Sequence, residues 1–360
     1  MSNSQPILIM AGGTGGHVFP ALAVAEQLRL HGVPVIWLGT RAGIEARLVP
    51  AAGYPIEWLS VTGIRGKKMV TLILAPLKII QACWQALSVI RRYQPCAVLG
   101  MGGFASGPGG LMAWLMRKPL LIHEQNAIPG LTNRLLAKLA IKIMQAFPSA
   151  FGSRAQTLGN PVRREICELE LPAQRLSLHQ GRLHLLVVGG SLGAQQLNQL
   201  LPQALQQMDV ALRPEVRHQT GIKNLELTRE YYQRCGVDAQ VDAFIDDMAS
   251  AYGWADLVIC RAGAMTIFEL AAAGVASILV PYPYAVDDHQ TANAMYLCHA
   301  GAAILKQQQQ LDQDWLVQTL SDLTTNRERL LEMAEAARTL AMPQSAENIA
   351  ALCLQAGGQC

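Results

Sequence analysis

The sequence predicts an α/β protein of two similar domains, each built on a parallel sheet. The prediction rests first on a pattern that occurs twice. Residues 7–17 read Ile-Leu-Ile-Met-Ala-Gly-Gly-Thr-Gly-Gly-His, and residues 183–194 read Leu-His-Leu-Leu-Val-Val-Gly-Gly-Ser-Leu-Gly-Ala. Each is an unbroken apolar run, then a glycine-rich turn, then a helical pattern. A parallel strand is apolar on both sides because crossover helices cover both faces of its sheet. Glycines at the turn let backbone approach a ligand, and N–H groups at the following helix start favour anionic oxygen. Second, 360 residues at 51% hydrophobic and 15% charged suffice for two buried cores. Third, strand and helix patterns alternate through both halves. Two such turns, half a chain apart, are expected to face each other across a cleft, a donor on one wall and an acceptor on the other.

The elements follow in order. After Gly16-His17, residues 20–30 place Ala21, Leu22, Ala25 and Leu28 on one helical stripe that Gly32 ends. Residues 33–38 read as the next strand, and 97–100 and 120–123 as further ones. Between the last two, Gly100-Met-Gly-Gly-Phe-Ala-Ser-Gly-Pro-Gly-Gly110 forms a second glycine-rich loop. Periodicity lapses after Gly159-Asn-Pro-Val-Arg163, which sets the expected boundary: domains 1–163 and 164–341. In the second half, strands are expected near Leu183, Val216, Val241, Leu257 and Ile278, with a helix near Leu197. The tail from Arg327 is helical and broken by Pro343, its last piece, about 342–357, returning to the first domain. Gln307–Gln310 reads as a solvated loop.

Residues 69–90 are strongly apolar, but Pro76, Lys78, Gln81 and Gln85 argue against a membrane span. Ile73, Leu77, Ile80, Trp84 and Leu87 make a stripe expected to pack on the sheet, which leaves Met69, Leu72, Leu74, Ile79 and Cys83 over. Lys67, Lys68, Arg91 and Arg92 bracket the segment, as in a patch that dips apolar residues into a bilayer and sets cations on anionic headgroups. Charge points the same way. Up to Arg164 there are 17 Lys and Arg against 4 Glu and no Asp, and from Glu165 onward 12 against 22. The basic half is suited to an anionic surface or a pyrophosphate, although attraction between two oppositely charged domains would also account for it. The eight cysteines form no C-x-x-C pair and read as reduced core thiols. The apolar run Ile7–Ala11 is too short for a signal peptide, and the basic half lacks the aromatic interleaving of a nucleic-acid binder.

Several signatures are excluded. A G-x-G-x-x-G starting at Gly13 has Val18 at its third glycine, and the acid expected after the second strand is absent, where Gly39-Thr-Arg41 stands. This argues against NAD, and no P-loop sequence occurs. Gly189-Gly-Ser191-Leu-Gly193 fits the nucleophile elbow of a serine hydrolase, with Glu269 and His289 in the right order, yet that reading leaves the first-half glycine loops idle. Arg261-Ala-Gly263-Ala-Met-Thr266-Ile-Phe-Glu269 follows a strand and opens a helix. A carboxylate there can accept both hydroxyls of a ribose while the helix start faces phosphate. Thr266 alone would be a helix cap, and Glu269 alone a dipole partner.

Taken together, Gly-Gly-Thr-Gly-Gly-His17, the 100–110 loop, His123-Glu-Gln-Asn126, Gly159-Asn-Pro-Val-Arg163, Gly-Gly-Ser191 and Asp288-His-Gln290 resemble the MurG family. These are the bacterial N-acetylglucosaminyltransferases that complete the lipid-linked disaccharide of peptidoglycan. The resemblance spans essentially the whole chain and implies the GT-B glycosyltransferase fold of two Rossmann-like domains. It further implies that the donor, UDP-N-acetylglucosamine, sits mainly on the second half. Ser191 would meet phosphate, the backbone at Phe244-Ile245 the uracil, and Ala264, Met265, Thr266, Ile267, Phe268 and Glu269 the nucleotide, with Glu269 on the ribose. Arg163 would meet the diphosphate or the acceptor side, with Asn126, His289 and Gln290 near the sugar and Thr14, Gly15 and Gly16 closing over the diphosphate. The acceptor, undecaprenyl-pyrophosphoryl-muramyl-pentapeptide, would place its pyrophosphate by Gly102, Gly103, Ser106 and Gly107. The place of work would be the cytoplasmic face of the bacterial inner membrane, peripherally bound. His17 is the expected general base, since imidazole titrates nearest working pH, with Glu124 in reserve; a phosphate-donating role for His17 is the alternative. Inverting displacement by the acceptor's 4-hydroxyl would follow. The only Asp-x-Asp, Asp312-Gln-Asp314, reads as a helix cap, so no obligatory metal or other cofactor is expected. Another UDP-sugar enzyme with a lipid acceptor is the runner-up.

Overall fold

The computed structural model describes residues 5–60, 75–179, 181–190 and 194–358. The chain divides into two compact units, residues 1–162 with 342–360, and residues 163–341.

The first unit holds a seven-stranded sheet of β1 (Ile7–Met10), β2 (Val35–Gly39), β3 (Ile56–Trp58), β4 (Ala97–Gly100), β5 (Leu120–Glu124), β6 (Lys142–Gln145) and β7 (Gln156–Thr157). All pairings are parallel, in the order β3-β2-β1-β4-β5-β6-β7. Helices α1 (Gly15–Leu30), α2 (Glu45–Ala51), α3 (Ala75–Tyr93), α4 (Ser106–Leu115) and α5 (Leu131–Leu136) connect them. The two-residue period of a strand sorts the core into two layers. Ile7, Ile9 and Ala11 face α1 and the C-terminal helix Ser345–Ala356, through Val24, Leu28, Ile349 and Cys353. Leu8 and Met10 face the opposite way, onto Ala82, Ala86 and Ile90 of α3 and Ala113 of α4.

The second unit holds six parallel strands: β8 (His184–Val188), β9 (Glu215–Gln219), β10 (Gln240–Asp242), β11 (Leu257–Cys260), β12 (Ala276–Leu279) and β13 (Ala303–Leu305), ordered β10-β9-β8-β11-β12-β13. In both units the first strand lies between its second and fourth. Successive crossovers therefore run outward in opposite directions from β1 and from β8. At such a switch point the loops beyond the strand carboxyl ends diverge, and ligands bind there. Beyond β1 and β4 these loops are the 11–16 turn and the 101–105 loop; beyond β8 and β11 they start at Gly189-Gly190 and at residues 261–263.

Four strands escape the sequence reading. β3, β6, β7 and β13 lie at or toward sheet edges, and only two to four residues long they carry too little apolar run to stand out. The first helix begins at Gly15, ahead of the stripe that starts at residue 20. Gln308–Gln310 forms a short 3-10 turn rather than a free loop.

Two expectations need correction. The stripe assigned to the sheet is inverted in α3: Leu77, Ile80 and Trp84 are exposed, Trp84 at 67%, while the small Ala82 and Ala86 pack inward with Val89 and Ile90. Small residues permit close helix-to-sheet approach, and the large ones are left outside. Met69, Leu72, Ile73, Leu74, Lys67 and Lys68 lie outside the described residues. Nor are all cysteines reduced, since Cys96 is disulfide-bonded. Cys260 and Cys353 do fit the expectation, buried thiols pushed up to about 12 by loss of hydration.

Candidate active site

In the first unit the two glycine loops touch backbone to backbone. Gly103 has φ +82°, and a Cβ there would lie 2.2 Å from the Gly12 carbonyl oxygen. Gly102 has φ +93°, and a Cβ there would lie 2.8 Å from His17 Nδ1. Only glycine satisfies both the left-handed backbone and the contact. Behind the first turn sits Glu45, fully buried, which sequence reasoning passes over. Its carboxylate accepts from Gly13 N–H at 2.9 Å, from Thr40 N–H at 3.0 Å and from the Thr40 hydroxyl at 2.7 Å. A buried charge is tolerated when hydrogen-bonded this fully. The signal in the sequence is weak, since a lone Glu opening a helix resembles a dipole partner.

Strand β5 ends in His123-Glu124 and continues to Gln125 and Asn126, and the strand period separates them by face. His123 and Gln125 point to the α1 side, where Gln125 Oε1 lies 2.9 Å from His17 Nδ1. Glu124 points to the other side and is 2% exposed. Its carboxylate accepts from Asn126 N–H at 2.9 Å, Asn126 Nδ2 at 3.3 Å, Gly130 N–H at 3.2 Å and Asn133 Nδ2 at 2.9 Å. With both oxygens engaged, Glu124 shapes the loop that carries Asn126 and is poorly suited to take a substrate proton. Ser106 also differs from expectation. It is fully buried, its hydroxyl 2.9 Å from the Met10 carbonyl and 2.8 Å from that of Gly102, so it braces the loop from behind. Gly103 and Gly107 remain partly exposed and Gly102 is buried. Thr14 is exposed, with Gly15, Gly16 and His17 half-buried at the start of α1.

In the second unit the helix Ala264–Ala273 follows β11, with Gly263 rather than Thr266 at its cap position. Ile267 and Phe268 are core residues, 0% and 1% exposed, and Phe268 stacks on Tyr296, so their side chains are not available to a nucleotide. Ala264 is buried, Met265 and Thr266 half-buried. Glu269 retains 16% of its side-chain exposure, lies 3.5 Å from Arg163 and accepts from the Tyr252 hydroxyl at 3.1 Å. Arg163 is 47% exposed. Around the same sheet end, Phe244 is exposed at 56%. The adjacent Ile245 N–H donates to Gln219 Oε1 at 3.1 Å, so a base reading that N–H has to displace Gln219. Gln290 accepts from Tyr282 N–H at 2.9 Å through its side-chain carbonyl, and His289 opens the helix His289–His299 after two left-handed aspartates. Ser191 lies outside the described residues.

Among the described residues one His/Asp grouping has ligand atoms close together, His179, His184 and Asp256. Asp256 already accepts from His179 Nδ1 at 2.6 Å, Arg327 Nη1 at 2.7 Å and His184 N–H at 2.9 Å. The guanidinium occupies the place of a cation, and the group is an ion-pair network. Asp312 accepts from Trp315 N–H at 2.8 Å and caps the helix Gln313–Thr325.

Two family models match the chain: the glycosyltransferase family 28 N-terminal domain over residues 7–145 and the C-terminal domain over residues 184–349. A protein of Marinobacter nauticus is 54% identical over 99% of this chain and 98% of its own length, and one of Nitrosococcus oceani is 54% identical over 97% and 98%. Both carry the name UDP-N-acetylglucosamine--N-acetylmuramyl-(pentapeptide) pyrophosphoryl-undecaprenol N-acetylglucosamine transferase. The crystal structure of Acinetobacter baumannii MurG matches with a TM-score of 0.87 and 42% identity over 98% of this chain and 99% of that one. The chain belongs to the MurG family. The fold is thus GT-B, shared at 15% identity and a TM-score of 0.65 with the calicheamicin glycosyltransferase CalG4, and the chain is a glycosyltransferase.

Burial raises the Glu269 carboxyl above its ordinary value, with Arg163 and Tyr252 pulling it back down. The folded state therefore holds this proton more tightly than the unfolded one. That contribution to stability is present below about pH 4.5 and is lost as pH rises through the raised value. Glu269→Gln, uncharged throughout, is expected to lose this pH dependence. Denaturant unfolding at pH 4 and pH 7 should show the variant gaining on the parent at the higher pH.

Proposed function

We propose that the chain transfers N-acetylglucosamine from UDP-N-acetylglucosamine to the 4-hydroxyl of undecaprenyl-pyrophosphoryl-N-acetylmuramyl-pentapeptide, forming a β-1,4 link. The observation that carries this reading is near-full-length identity of 54% to relatives named for that reaction. The loops at both switch points are of the kind it needs.

In the second unit, a ribose diol donates to Glu269 while Arg163, half in solvent, turns from that carboxylate toward the diphosphate. The exposed Phe244 offers a face to the uracil, and the start of the helix Ala264–Ala273 presents N–H groups to phosphate. Thr14, Gly15 and Gly16 offer the same from the start of α1. Asn126 and His289 belong by the family resemblance to the donor sugar, and Ser191 to phosphate. In the first unit, backbone of the loop through Gly102, Gly103 and Gly107 receives the acceptor pyrophosphate, with Ser106 supporting it. His17 takes the proton of the acceptor hydroxyl. The oxygen bonds to the anomeric carbon from the face opposite UDP, and the bond to the diphosphate breaks with its electron pair leaving on UDP. Donors held in place where that charge develops lower the barrier most. Nothing in this sequence of events calls for a metal on the diphosphate.

The localisation reading rests on the outer surface of three neighbouring helices. Leu77, Ile80 and Trp84 of α3, Leu111, Trp114 and Leu115 of α4 and Leu131 and Leu135 of α5 are all exposed. Contiguous apolar surface of this kind marks an interaction site. Lys78, Arg117, Arg134 and Lys138 lie exposed on the same elements or in the loops after them, and Lys142 at the start of β6. No helix among the described residues is long and apolar enough to cross a membrane. A peripheral seat on an anionic leaflet suits both features and brings the enzyme to an acceptor anchored there.

His17→Ala should lower kcat by about 10²–10⁴-fold, the usual weight of a general base, with little change in donor affinity; loss of affinity alone would assign His17 to phosphate. Turnover should persist after exhaustive chelation. Trp84→Glu and Leu115→Glu should each weaken binding to anionic vesicles by about tenfold or more, from roughly 1.5–3 kcal/mol of lost apolar burial, without altering turnover of a water-soluble acceptor analogue.

A further inference from the structure

Behind His17 runs a chain of hydrogen bonds whose direction can be deduced. His17 Nδ1 lies 2.9 Å from Gln125 Oε1. Gln125 Nε2 lies 3.1 Å from His123 Nδ1 and 3.3 Å from the His123 carbonyl. His123 Nε2 lies 3.0 Å from the Gly159 carbonyl, which also accepts from the Ser345 hydroxyl at 2.9 Å. Gln125 and His123 are 1% and 0% exposed, and Asn160 Nδ2 donates to the Gln125 backbone carbonyl at 3.0 Å.

Hydrogen positions follow from the two backbone carbonyls, which can only accept. The Gly159 carbonyl requires a proton on His123 Nε2. Burial pushes the His123 imidazole down to about 4, so the ring is neutral and its Nδ1 carries a lone pair. The His123 carbonyl and that lone pair both require a donor, so the amide group facing them is the NH₂ of Gln125. Its oxygen then faces His17, and an oxygen without a hydrogen can only accept. His17 must carry its proton on Nδ1.

We propose that Gln125 is a positioning residue that holds His17 in the Nδ1–H tautomer, leaving the lone pair on Nε2 to take the acceptor proton, and that His123, anchored on Gly159, locks the orientation of Gln125. The proposal deepens the reading of His17 as base and rests on it for its catalytic consequence. When Nε2 gains the proton, the imidazolium keeps its Nδ1–H on Gln125 Oε1, and a hydrogen bond to a charged donor is stronger than one to a neutral donor. The relay thus favours the protonated product of the step without placing a carboxylate beside the base. Gly102, with no side chain, leaves room for the ring in this position.

The test uses full-length protein with ¹⁵N-labelled histidine, observed at a pH above the ordinary imidazole range of about 6.5. His17, assigned by its absence in His17→Ala, should show a protonated Nδ1 and an unprotonated Nε2. The opposite tautomer would overturn the proposal whatever the activity. Gln125→Met, which removes both amide groups at similar length, should yield a mixture of tautomers and lower kcat about 3- to 10-fold, the weight of one net hydrogen bond, with KM for UDP-N-acetylglucosamine unchanged. If the Met variant folds poorly, the tautomer of His17 in the parent protein decides the proposal by itself. An unchanged His17 spectrum and unchanged kcat in Gln125→Met would overturn the positioning role. If the tautomer is as stated but His17→Ala turns over normally, the base reading fails and the tautomer assignment stands.

Discussion

The contact of Gly103 with the Gly12 carbonyl is the constraint on which the first unit's site depends. Two loops from adjacent strands, β1 and β4, can meet at backbone distance only where neither carries a Cβ. Their meeting sets the start of α1, and with it the position of His17 over Gly102. Glu45 from below and Ser106 from behind then hold the two loops in that contact. Both are buried polar groups, Ser106 bonded to backbone carbonyls and Glu45 to backbone N–H groups and the Thr40 hydroxyl, which is how a glycine-rich turn, intrinsically loose, is made rigid enough to offer N–H groups in fixed directions.

The parallel sheet of this unit also divides its functions by face. Alternate residues of β5 and its extension send His123 and Gln125 toward α1 and the His17 ring, and Glu124 toward the α5 side. The first pair forms the hydrogen-bonded chain behind the His17 ring; Glu124 organises the Asn126 loop. Further out on that second side, α3 and α4 keep mostly small residues against the sheet, and α3, α4 and α5 all turn large apolar residues to the surface. A helix that packs through alanine and displays tryptophan and leucine gains little from the core for its hydrophobicity. The proposed seat on a lipid leaflet would account for the distribution without any change to the fold.

The second unit holds a carboxylate in a partly dry place, where the proposed ribose diol would meet it. Glu269 sits on a helix whose neighbours Ile267 and Phe268 are buried, so its side chain is positioned by core packing. Burial disfavours its charge, while Arg163 and the Tyr252 hydroxyl restore part of it. Arg163, half exposed, lies 3.5 Å from that carboxylate and is the group that would turn toward a phosphate in the proposed complex.

The architecture was legible because its signals are local. Apolar runs ended by glycine turns mark β1, β4 and β8 wherever they fall, and their alternation with helical stripes leaves few arrangements besides parallel sheets. The repeated turn, the His17 position and the Glu269 helix could all be read in the same way, as could the cap at Asp312. Short edge strands could not, because two to four residues carry too little pattern. Nor could the side to which a residue is directed. The apolar segment 69–90 offers more hydrophobic residues than one face needs, and only packing decided that alanines go inward. Glu124, Ser106 and Gln125 are adjacent to recognisable motifs, yet which of them touches the reacting face depends on strand register and on carbonyls as distant in sequence as Gly159. Composition and periodicity determine which elements form; the direction of each buried polar group is settled only when distant backbone supplies its partner.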